Sequence, residues 1–207
     1  MKTSFFAAHS VIKEIYGNRL SQYLLAVQPA TEVYEKILNE KQLFYDEYNV
    51  QEIIKKNPQV IVAAFLVKED MEETLSRWIQ RICGNQQSFN LMLNNYSGFP
   101  PDNIYLRIQD EHPFKKLASS LKELNHYITS CACPPIQFSS RFHIAIADDL
   151  PENIYVNALK KYSHKSFHES FIVKELQLLK RRNEYDTYKP ISVFSLQPAE
   201  DAFIVSS

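Results

Sequence analysis

Arg141-Phe142-His143-Ile144-Ala145-Ile146-Ala147 is the stretch on which the reading of this chain turns. Short, apolar and alternating, it has the pattern of a strand. On a strand, His143 and Ala145 share one face while Ile144 and Ile146 share the other. A side chain that titrates near neutrality then stands beside a very small one. That arrangement suits the wall of a cleft, and it suits equally a core histidine satisfied by one hydrogen bond.

Working outward, Asp148-Asp149-Leu150-Pro151 opens a helix whose apolar positions are Ile154, Tyr155, Ala158, Leu159 and Tyr162. A long strand pattern follows over 168–180, and a last strand over 190–196. Upstream, Gln59 to Val67 is nearly all apolar and β-branched at its start, which predicts a central strand. Asp70 stands where it would cap the next helix, whose stripe is Met71, Leu75, Trp78, Ile79 and Ile82. Strands at 88–94 and 103–109 then flank a turn over 96–102. The same order, strand, helix, strand, strand, thus occurs twice, and a Ser-Phe pair follows each helix (Ser88-Phe89 and Ser166-Phe167). Such a duplication predicts two related lobes with a cleft between them, and it sets His143 opposite the strand 59–67. Three further elements complete the pattern: a strand over 22–27, a helix begun by Thr31 as N-cap, and a helix opened by His112-Pro113 with its stripe on Phe114, Leu117, Leu121, Leu124 and Ile128. Residues 1–20 read as an arm with a short helix ended by Gly17-Asn18, and 198–207 as a loose tail.

The chain has 207 residues, 45% hydrophobic and 23% charged, enough apolar mass for one bilobal domain over 1–197. The net charge of -1 gives no global field to draw it onto nucleic acid, so an extended nucleic-acid surface is not expected. With only 3 glycines it has no Gly-rich phosphate loop. The 3 cysteines, Cys83, Cys131 and Cys133, fit neither a disulfide framework nor a zinc site and read as free thiols. No long apolar run and no signal-like start is present, so a cytoplasmic protein is expected.

In its element order, its Gly98-Phe99-Pro100 to Ile104-Tyr105-Leu106 hairpin, and Leu178-Leu179-Lys180, the chain resembles the 2H phosphoesterases, which include the 2'-5' RNA ligases or RNA 2',3'-cyclic phosphodiesterases. The resemblance runs from about Gln22 to Leu196. It implies an α+β fold of duplicated β-α-β-β lobes, with mostly antiparallel sheets flanking a central cleft and helices outside. It also implies one His-x-Thr/Ser motif on the leading strand of each lobe. In that family one histidine acts as general base, the other as general acid, and the hydroxyls hold the phosphate.

Here the motifs are degenerate. The second is His143-Ile144-Ala145-Ile146, with Ala145 where the hydroxyl belongs. The first follows Pro58 and aligns as Gln59-Val60-Ile61-Val62, with Gln59 at the histidine position and Ile61 at the hydroxyl position; a shift onto Val60 and Val62 recovers no histidine either. Glutamine does not titrate near neutrality, and losing one acid–base group costs roughly 10²–10⁴-fold in rate. The resemblance therefore implies an impaired enzyme, a monomer needing no cofactor or metal, that binds RNA ends, cyclic phosphates or small phosphorylated nucleotides. His143 is its candidate catalytic residue, and Gln59, Arg107 and Lys180 are its candidate ligand contacts. Two alternatives stand beside it: a scaffold whose cleft is filled by side chains, and a phosphodiesterase using His143 alone. The basic cluster Lys160, Lys161, His164, Lys165 and His168 reads as a solvated helix end, as does Lys180-Arg181-Arg182 as a strand end.

Overall fold

The computed structural model describes residues 20–50, 56–183 and 185–199. The expected arm over 1–20 lies outside them save for Leu20, as does the tail from 200 onward. In order, the elements are β1 (Leu20–Val27), α1 (Thr31–Tyr48), β2 (Val60–Lys68), a 3₁₀ turn (Glu69–Met71), α2 (Glu72–Cys83), β3 (Phe89–Phe99), β4 (Asn103–Ile108), α3 (His112–Ser130), β5 (Gln137–Phe138), β6 (His143–Ala147), α4 (Glu152–Tyr162), β7 (His168–Val173), β8 (Glu175–Arg181) and β9 (Lys189–Ser195). The fold is α+β, with one five-stranded sheet of order β5-β2-β1-β8-β9 and one four-stranded sheet of order β6-β4-β3-β7. The pairings between these strands are antiparallel.

The strands are shared out differently from one lobe per repeat. β2 leads the first repeat in the five-stranded sheet, but its followers β3 and β4 pair in the four-stranded sheet beside β6. In the second repeat, β6 and β7 lie in the four-stranded sheet and β8 and β9 cross to the other. The run 168–180, expected as one strand, is thus two, divided at Lys174, whose carbonyl instead accepts from Leu196 N at 2.8 Å. No Gly or Pro marks the break; the alternation slips there instead, with Phe171 and Val173 buried before it, Lys174 and Glu175 exposed in succession, and Leu176 and Leu178 buried after it. β3 runs five residues beyond the expected 94, carried across a bulge at Asn94 and Asn95. Asn95 takes a left-handed φ of 58° there, and its amide N–H and side-chain oxygen both bond the Phe167 backbone. The helix caps also differ. Ala30, not Thr31, holds the N-cap of α1, and Asp70 lies in the 3₁₀ turn, with Met71 capping α2.

Helices α2 and α3 cover one side of the five-stranded sheet, and α1 and α4 one side of the four-stranded sheet. The covered faces and the helix stripes merge into one large core that includes Tyr23, Leu25, Val62, Phe65, Leu106, Ile144 and Ile146. All three cysteines are free thiols. Among the described residues no helix is long and apolar enough to cross a membrane.

Candidate functional site

The faces turned away from the helices carry several of the positions singled out in the sequence. On the four-stranded sheet, β4 pairs with β6 so that Arg107 stands opposite His143 and Tyr105 opposite Ala145. Opposed residues point to the same side, so these four share one face. Ile144 and Ile146 are fully buried on the other, as the alternation requires. Arg107 is exposed and donates from Nε to the Asn94 carbonyl at 3.1 Å. His143 is half-buried, and its Nδ1 lies 3.1 Å from the Arg141 carbonyl. A nitrogen facing a carbonyl carries the proton, so the neutral ring keeps its lone pair on Nε2. Burial pulls the imidazole pKa below its ordinary value, against the opposing pull of that hydrogen bond and of the Asp148 and Glu111 carboxylates. The ring is therefore neutral at neutral pH.

Aromatic neighbours surround it. Phe99 stacks on Tyr105 at 4.1 Å between centroids, and both rings lie against His143, at 5.2 and 4.9 Å. The Arg141 guanidinium lies over Phe99 at 5.1 Å. Neither these rings nor Arg141 stood out as site residues in the sequence. Phe99 and Tyr105 belong to the hairpin that carried the resemblance, and Arg141 is two residues from His143, but only the pairing of β3, β4 and β6 brings the group together.

On the five-stranded sheet, Ile61 faces the same side as Ala26, its partner on β1, and belongs with Leu24, Ala64, Leu66 and Leu179 in a second, smaller apolar cluster. Val60 and Val62 are fully buried in the main core on the opposite side. Of the two alignments of the first motif, the one using Ile61 thus lies on the helix-free face. A bulge between Leu25 and Ala26 resets the alternation, so that Ile61 and Ala64, three apart, share that face. Gln59 precedes β2 and is half-buried. Its strand is tied towards His143 by Ser139, whose N–H donates to the Val62 carbonyl and whose hydroxyl donates to the Ile61 carbonyl. Beyond the start of β2, Lys56 Nζ bonds Asp148 at 2.8 Å and Asp149 at 3.3 Å, just past the end of β6.

Lys180 is not brought to this group. It pairs across the sheet with Tyr23, on the helix-covered side, and its Nζ binds Glu72 at 2.7 Å and Glu69 at 3.2 Å at the start of α2. Burial works against its charge, but the two carboxylates outweigh it and hold its pKa above the ordinary value. Its neighbour Arg181 takes the helix-free face, with Nε 2.7 Å from Gln22 Oε1 and its guanidinium 4.6 Å over Tyr188. In the basic cluster at the end of α4, two lysines are paired: Lys161 with Glu47 at 2.7 Å and Lys165 with Glu40 at 3.3 Å.

Among the described residues, two antiparallel sheets, four helices and a histidine strand at the edge of one sheet define the architecture of a known class. The family model of the 2'-5' RNA ligase superfamily matches residues 57–184, more than half of the chain, and the chain belongs to that superfamily. Among solved structures it is similar to LigT of E. coli complexed with 3'-AMP, at 17% identity and a TM-score of 0.61 over 86% of this chain and 98% of that one. It is equally similar to TT0787 of Thermus thermophilus, at 15% identity and a TM-score of 0.62 over the same shares. At such identities the likeness is one of fold. No curated protein matches the chain in sequence.

Proposed function

We propose that this chain binds a phosphorylated nucleotide, or an RNA end carrying a terminal or cyclic phosphate, at the His143 face, and that it is impaired in two-histidine phosphodiester chemistry. The observation that carries the reading is the placement of the exposed Arg107 beside His143 on one helix-free sheet face. Arg107 supplies the positive charge and a planar fork of donors for a phosphate. His143, held through Nδ1, offers Nε2. In the structures of E. coli LigT, the ligands named are 3'-AMP, NADP+, ATP and phosphate, and a phosphate is common to all four.

The same geometry argues against turnover. Phosphodiester cleavage needs one proton taken from the nucleophile and another given to the leaving oxygen. With its pKa lowered, His143 is in the form that accepts a proton and lacks the one it would have to donate. Gln59 cannot titrate, and neither Ile61 nor Ala145 offers a hydroxyl to the phosphate. A phosphodiesterase working on His143 alone would have one imidazole to serve both transfers in turn. We read the chain further as a cytoplasmic monomer.

Calorimetric titration with 2',3'-cyclic and 3'-phosphorylated nucleotides tests the binding. Arg107→Ala should weaken it about tenfold or more, the worth of a charged hydrogen bond, with the melting temperature unchanged. If the wild-type protein does not bind at millimolar ligand, the reading fails. One observation favours a second reading, an interaction protein with a closed cleft: on the first-motif side Leu24, Ala26, Ala64 and Leu66 are all under 5% exposed. In that case neither nucleotides nor phosphate would bind.

A further inference from the structure

We infer that the His143 site reads the phosphate of its ligand and is indifferent to the base. The inference rests on the ligand-binding reading above and narrows it. Base-specific or base-assisted binding to single nucleotides ordinarily uses an open aromatic face on which the base stacks. The rings beside His143 have none to offer. One face of Phe99 is covered by Tyr105 at 4.1 Å, with only 19° between the planes. A second group at 5.1 Å over the same ring has only the other face to lie on, and the Arg141 guanidinium occupies it. His143 meets the edge of Phe99 at 78°. Tyr105 spends one face on Phe99 and is only 8% exposed, so its other face is covered as well. Among the described residues, the aromatic ring on this side of the five-stranded sheet is Tyr188, which lies under Arg181 at 4.6 Å and packs on the Leu24, Ala64 and Leu179 cluster. Among the described residues, what remains open beside His143 is the exposed Arg107 and the edge of His143 itself; the exposed Met92 and Ile172 on the same sheet face are apolar but not aromatic and offer no ring to a base.

Stacking on a free aromatic face strengthens binding by roughly 5- to 150-fold per base, so its absence is measurable. The test is a calorimetric series of 3'-AMP, 3'-CMP, 3'-UMP, ribose 5-phosphate and inorganic phosphate on the wild-type chain and on Arg141→Ala. For the wild type, the three nucleotides and the ribose phosphate should bind within about threefold of one another, below the stacking range. Arg141 is exposed, and its removal bares one face of Phe99. Arg141→Ala should therefore acquire a preference of about fivefold or more for 3'-AMP over ribose 5-phosphate. A wild-type preference of about tenfold or more for any base, or for a nucleotide over ribose phosphate, overturns the inference and leaves the ligand-binding reading standing. Base indifference that persists in Arg141→Ala shows that Phe99 is not the covered platform, and that outcome also overturns it. No binding of any of these probes overturns both.

Discussion

Alanine at position 145 decides what His143 can be. On the reading proposed above, a hydroxyl there would hold a phosphate oxygen beside Nε2, and a methyl leaves that work to the cross-strand neighbour Arg107. The imidazole is placed by its own strand, since Nδ1 bonds the carbonyl two residues back. Its protonation has a consequence for stability. Burial lowers the folded-state pKa below the unfolded value of about 6.5, so the unfolded chain binds the proton more readily. The neutral ring's contribution is complete above that value and is lost as the pH falls through it towards the lower folded pKa. Between about pH 7 and pH 5 the wild type should therefore lose more stability than His143→Gln. Urea midpoints across that window measure the difference. Parallel slopes for the two proteins would show that the histidine is not desolvated.

At the scale of elements, one hairpin positions the site. β3 and β4 carry Phe99, Tyr105 and Arg107 and hold β6 at the sheet edge. The hairpin also passes beneath α4, where Gly98 is in close approach: an added Cβ would meet Leu159 Cδ1 and Tyr155 Oη, each at 2.8 Å. Leucine can shift, but the phenol ring is stiff and buried. Gly98→Ala should cost about 1–3 kcal/mol by overpacking, read as a fall in the urea midpoint, and an unchanged midpoint would disprove the contact. Lys180 and Arg181 illustrate how an element assigns its side chains. Neighbours in sequence, they point to opposite faces of β8; one joins the Glu69 and Glu72 carboxylates, and the other Gln22 and Tyr188. Lys180 was expected at the cleft because a strand pattern shows which residues share a face and not which face is which.

For the molecule as a whole, the exchange of strands between the two halves matters most. Each sheet combines the leading strand of one repeat with later strands of the other, so neither half of the chain can complete a sheet alone. Phe114, at the start of α3, joins the two: it stacks on Phe142, next to β6, at 4.8 Å and meets Phe89 of β3 edge-on at 5.2 Å, while α3 itself packs on β2. The chain should therefore unfold in one cooperative transition, as the expectation of a single domain over 1–197 requires. Phe114→Ala should lower its stability by about 3–5 kcal/mol without splitting that transition. Fluorescence and circular dichroism followed together in urea would reveal it; non-coincident curves would mean that the sheets unfold independently.

What the sequence determined by itself is local. Alternation marked the strands around His143 and 103–109, a nearly unbroken apolar run marked 59–67, the apolar stripes marked the helices, and the residue types at 59, 61 and 145 carried the expectation of degenerate motifs. The repeated order of elements carried the likeness to the superfamily. Only the tertiary structure decided which sheet each strand joins, that Arg107 comes to His143 while Lys180 does not, and that Phe99 is covered on both faces. The physical reason is that side-chain periodicity is a property of a segment, whereas a sheet is assembled from backbone donors and acceptors that are the same at every residue. The choice among partners is made by the packing of distant segments, and no single segment records it.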